Sequence, residues 1–71
     1  MNFESYKVVL YRQSDGSWVA QIPALPGCHA VMPTRNEALD ELHLVFEMIE
    51  EEHQERGEAM PQDRELVYAA S

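Results

Sequence analysis

The groups able to carry out acid–base, metal or nucleophilic chemistry in this chain are thirteen acids, three histidines and one cysteine. Carboxylates that hold two metal ions over a phosphodiester must converge from a strand interior and neighbouring elements. The most strand-like stretch, residues 5–12, contains no Asp or Glu, and Glu50, Glu51 and Glu52 are consecutive. On a helix those three point in different directions, so a solvated helix face is expected rather than a catalytic cluster. His29, His43 and His53 include no pair at i, i+4, and Cys28 has no second thiol at metal-binding spacing. Cys28 and His29 are neighbours, so on a strand they face opposite sides. Cys28 reads as a small buried hydrophobe, and His53 as a helix-end residue covering the edge of the core. Neither has a partner that spacing identifies for a Cys–His nucleophile. The chain is therefore expected to be no enzyme, with no catalytic residue, metal ligand or cofactor.

Charge sharpens this. Residues 1–36 carry Lys7, Arg12 and Arg35 against Glu4 and Asp15, whereas residues 37–71 carry two arginines against eleven acids. The halves are thus +1 and −9, which sum to the net charge of −8. Such a balance repels the phosphates whose neutralisation drives non-specific nucleic-acid binding, and it attracts basic partners. Tyr6, Tyr11 and Trp18 could stack on bases, but five cations make a poor phosphate track, so a core or interface role is expected for these rings. A single cysteine excludes an internal disulfide and demands no oxidising compartment. No apolar run nears the roughly 18 residues that span a bilayer, and residues 1–4 lack a signal pattern, so a cytoplasmic protein without membrane contact is expected.

The elements that must position these residues follow from pattern. Residues 5–12, SYKVVLYR, are rich in β-branched and aromatic side chains and read as a strand, with Tyr6, Val8 and Leu10 on one face. Asp15-Gly16 signals a hairpin turn, and residues 17–22 resume with Trp18, Ala20 and Ile22 on one face. The next stretch, QIPALPGCHAVMP, places three of the four prolines among apolar residues. Pro23 cannot donate to a ladder and ends the second strand. Leu25-Pro26-Gly27-Cys28 fits a type II turn, with Pro setting φ at the second position and Gly supplying φ > 0 at the third. Residues 28–32 form a third strand, which Pro33 closes.

Thr34 and Glu37 then form a capping box, in which the Thr34 side chain accepts from the Glu37 amide and the Glu37 side chain returns to the Thr34 amide. Ala38, Leu39, Leu42, Val45, Phe46, Ile49 and His53 recur at helical spacing, with Arg56 and Gly57 as stop signals. A helix over about 34–56 would be ~34 Å long, more than the ~20 Å of these strands, so its last turns should overhang the sheet. Leu44 and Met48 lie off the apolar stripe and could serve a second contact. Residues 65–70, ELVYAA, read as a short last strand, parallel to the first by the right-handed crossover rule.

The expected architecture is one α+β domain of two layers, β-β-β-α-β, a three-stranded antiparallel meander plus a short strand with one helix on one face. The other face, with Lys7, Val9, Tyr11, Val19 and Val31, has nothing to cover it, which implies self-association or a partner. Val9, Tyr11 and Val19, together with Glu47, Glu50 and Glu51 of the helix, are the candidate partner or oligomer surface.

In order and spacing these features resemble the HicB-like antitoxin domain. The likeness spans about residues 5–61 and rests on Trp18, Pro23, Leu25, Pro26, Gly27, Cys28, Thr34 and Glu37-Ala38-Leu39. It implies a partial RNase H-like fold without nuclease activity, homo-oligomerisation, and masking of a small basic HicA-type mRNA interferase. Fuller members of that family continue into a DNA-binding domain. This chain stops at Ser71, so direct DNA binding is not expected of it. Ala24 and Met32-Pro33 depart from the acidic residue and the Gly-containing pair common in the family at these places. The alternative kept open is a stand-alone structural or regulatory oligomer of the same fold with no toxin, ahead of a degenerate nucleic-acid binder.

Overall fold

A computed structural model describes residues 3–63. A 3-10 turn at Phe3–Ser5 leads into β1 (Val9–Arg12), β2 (Trp18–Gln21), β3 (His29–Met32) and α1 (Arg35–Arg56). The strands form one antiparallel sheet of order β1-β2-β3. This is the expected α+β arrangement of a meander followed by a long helix. The strand read over residues 65–70 lies outside the described residues.

Register explains why the strands are shorter than their β-rich stretches. Val9 pairs with Gln21, so continuing the ladder towards the N-terminus would set Lys7 opposite Pro23, which has no N–H to give. The first expected strand, 5–12, therefore keeps only its last four residues. Before them the chain turns, with the Tyr6 amide donating to the Phe3 carbonyl at 3.2 Å. Likewise Trp18 pairs with Met32, and the next step would meet Pro33. The expected strands 17–22 and 28–32 contract to β2 and β3, with one further bond from the Ile22 amide to the Cys28 carbonyl at 3.0 Å.

The helix lies across β2 and β3 and buries Ala38, Leu42 and Phe46. Opposite them stand Ala20, Ile22 and Ala30 from the sheet, and Ala24, Leu25 and Cys28 from the β2–β3 loop, with Tyr6 completing the buried cluster. Small residues at 20, 30 and 38 allow the helix to sit close to the strands. Thr34 caps α1 from an extended conformation (φ −126°, ψ 158°) and accepts from the Glu37 amide at 3.2 Å. The return contact differs from the expected one, because the Glu37 carboxylate accepts a hydrogen bond from the Thr34 hydroxyl at 2.9 Å. Gly57 (φ 70°) ends the helix. Its amide donates to Gln54 O and the Glu58 amide to His53 O, a Schellman closure.

Candidate functional site

The residues singled out by their chemistry are dispersed. Among the described residues, no three His, Cys, Asp or Glu side chains come together as a metal site. Cys28 is buried, and burial raises its thiol pKa, so the thiolate form needed of a nucleophile is disfavoured. His53 Nδ1 stands 2.8 Å from the Ile49 carbonyl, a bond within its own helix. His43 is edge-on to Phe3 and 3.3 Å from Glu47. His29 lies on the side of the sheet that the helix does not cover, across the ladder from Gln21.

The turn that carries the family likeness is built as scaffolding. Leu25 N donates to Ile22 O at 3.1 Å and Cys28 N to Leu25 O at 3.0 Å, two successive turns that share Leu25. Gly27 has φ 79°, the value that the third position of a type II turn requires. Pro26 and Gly27 face solvent, whereas Ala24, Leu25 and Cys28 are buried and Pro23 is half-buried. The loop therefore inserts its own side chains into the core and presents mainly backbone outside.

The surface instead divides into two faces with different chemistry. On the uncovered side of the sheet, register aligns Tyr11, Val19 and Val31 in one row and Val9, Gln21 and His29 in the next. No Asp or Glu belongs to either row. Tyr11 is 44% and Val31 50% exposed, but Val19 between them is only 4% exposed. Its place on the central strand lets its two neighbours shield it, so Tyr11 and Val31 carry this face and Val19 supports them. That corrects the expectation of Val19 as a contact residue.

The second face is the outside of α1. Glu47 and Glu51 are exposed there, along with Leu44 and Met48. Glu50 is half-buried and turned towards Tyr6, whose pKa rises through burial first and then through the charges of Asp63 and Glu50. The six residues grouped as one candidate surface are thus not brought together. Val9, Tyr11 and Val19 belong to the side of the sheet opposite the helix that bears Glu47, Glu50 and Glu51.

Contacts between distant residues tie the ends of the described chain, and no spacing in the sequence announces them. Tyr6 donates its hydroxyl to the Pro61 carbonyl, 55 residues away. Asp63 accepts from the Lys7 amide at 3.2 Å and from its ammonium at 2.8 Å. Met60 and Phe3 pack against the core beside this clasp.

Comparison with known proteins finds relatives over most of the chain. No family model and no solved structure matches. A UPF0150 protein of Synechocystis sp. is 39% identical over 57 residues, which cover 80% of this chain and 78% of that protein. A UPF0150 protein of Thermoplasma acidophilum is 33% identical over 58 residues, covering 82% of this chain and 84% of that protein. With identity of this order over more than three-quarters of both relatives, the chain belongs to the UPF0150 family of small proteins.

Proposed function

We propose that this UPF0150 protein is a non-catalytic, HicB-like antitoxin-type protein that self-associates and binds and masks a small basic HicA-type mRNA interferase. The observation that carries the reading is the division of the surface into an acid-free apolar sheet face and an acidic helix face. Electrostatic complementarity speeds encounter with a cationic partner and selects against anionic ones. The apolar row at Tyr11 and Val31 suits a contact between copies, because like charges would keep the acidic faces of a −8 chain apart. The test is co-expression with any small basic protein encoded beside this one, followed by pull-down and by growth of cells expressing the basic protein. A stable complex with restored growth is expected. Neither a complex nor restored growth would sink the reading.

The exposed Tyr11–Val31 row also favours a second reading, a structural or regulatory oligomer that needs no toxin. It predicts no small basic reading frame beside the gene and a multimeric mass in solution at micromolar concentration. A monomer at that concentration contradicts the self-association that both readings share.

A further inference from the structure

The outer side of α1 carries side chains that the core does not use. Leu44 and Met48, one helical turn apart, are 54% and 64% exposed, more than any other large apolar side chain among the described residues. Met48 lines a shallow groove with Glu51, Glu52 and Glu55. From residue 36 to residue 55 the helix holds eight acids and neither Lys nor Arg. Glu47–Glu51 and Glu51–Glu55 are like-charge pairs at i, i+4, a spacing that destabilises a helix. A face needed only for solubility interleaves cations with its acids and keeps large apolar groups off the outside. This face does neither.

Charge selects the occupant. A second copy meeting this face with its own would set acids against acids, and nucleic acid or anionic lipid would be repelled in the same way. A wholly apolar segment would strip water from the carboxylates and leave them unpaired, which is costly. An apolar stripe with Lys and Arg along its rims satisfies both chemistries at once. We infer that the outer face of α1, centred on Leu44 and Met48, docks a basic amphipathic helix of a partner protein. The partner's apolar side chains seat on Leu44 and Met48, and its cations reach Glu51, Glu52 and Glu55. This rests on the proposed function for the partner's being a basic protein, and it adds which surface is used and the form of the element that binds there.

The probe is a synthetic helical peptide of about 18 residues with a Leu stripe and Lys/Arg rims, long enough to hold a helix once bound. Its controls are a scrambled peptide of the same composition and a version with Glu rims. Amide chemical shifts of the labelled protein should move saturably along residues 41–55, and the scrambled peptide should bind at least about ten-fold more weakly. The Leu44→Ser/Met48→Ser double variant should lose about ten-fold in affinity with only a small drop in Tm, since both side chains lie outside the core and serine lowers only helix propensity. The Glu51→Gln/Glu52→Gln/Glu55→Gln variant should flatten the salt dependence while still binding. Shifts centred on Tyr11 and Val31, equal binding of the scrambled peptide, or no saturable binding would each overturn the proposal. The two readings fail separately. A double-serine variant that still rescues cells from the basic ribonuclease removes this surface and leaves the antitoxin reading standing. Peptide docking on α1 without any complex with the neighbouring basic protein does the reverse.

Discussion

The two loops of the meander do the same topological job with opposite chemistry. Both reverse the chain between adjacent strands and both contain a glycine at positive φ, Gly16 at 94° and Gly27 at 79°. The β1–β2 loop is held by its own polar groups: Gly16 N donates to Gln13 O at 3.0 Å, and Asp15 Oδ1 accepts from the Ser17 amide at 2.9 Å and its hydroxyl at 2.6 Å. Gln13 N donates to Ser17 O, so three residues lie between the paired positions, a form that demands Gly at the left-handed place. Nothing in this loop enters the core. The β2–β3 loop buries Ala24, Leu25 and Cys28 beneath the helix. A turn can therefore be closed locally or from inside, and only the second kind couples the reversal of the chain to the stability of the whole domain.

The sharpest way to break that comparison is Leu25→Ala. Removing a buried leucine from this cluster should cost about 3 kcal/mol, a large part of the roughly 4–10 kcal/mol available to a domain of this size. Urea denaturation would measure it, and a loss no greater than that from an Asp15 variant would refute the distinction. Glycine replacement comes next. A Cβ at Gly27 would meet nothing within 4 Å, so Gly27→Ala loses only backbone conformation, about 1–2 kcal/mol, and Gly27→Val somewhat more through its branched side chain. Gly16→Ala should cost a similar amount, since its φ is also positive and the nearest atom to its Cβ would be the flexible tip of Arg12 at 3.9 Å. Unequal losses at the two glycines would show that packing, and not dihedral angle alone, sets these sites.

Cys28 supplies a smaller, kinetic readout. Its buried thiol should react with a labelling reagent only as the β2–β3 loop opens, and faster in Leu25→Ala, whereas Asp15 variants should leave the rate unchanged. The smallest effect belongs to Asp15. Hydrogen bonds from the Ser17 hydroxyl and then the Ser17 amide hold its pKa below 3.8. A depressed carboxylate stabilises the fold above its unfolded pKa and loses that contribution as pH falls through the folded value. Asp15→Asn should therefore differ slightly from the parent at neutral pH and converge on it as the pH falls through the lowered carboxyl pKa, as thermal melts across that range would show.

How far the sequence could be read depended on the distance over which each feature is made. The Thr34 cap, the Gly57 stop, the type II turn and the apolar stripe of α1 all rest on residues within a few positions of one another, and each stands where pattern placed it. β propensity in residues 5–8 overstates the first strand, because it says nothing of the Pro23 that Lys7 would have to face. Gln21 and His29 also belong to the open face, and two-residue alternation from Val19 and Val31 identifies them. Grouping Glu47, Glu50 and Glu51 with Tyr11 joined residues that the fold sets on opposite sides, since a list of exposed residues carries no direction.

The amino-acid sequence alone determined the order of the described elements, the two ends of the helix, and the charge asymmetry between the halves. Local sterics and hydrogen bonding require particular residue types at such places, and formal charge needs no fold to be counted. Only the tertiary structure decided that Val19 is shielded on an open face, and that Tyr6 and Lys7 leave the strand to meet Pro61 and Asp63. It also decided that Leu44 and Met48 stand exposed among acids, with none of the described residues covering them. These outcomes depend on which distant segments share a layer, and that is settled by where the helix comes to rest on the sheet.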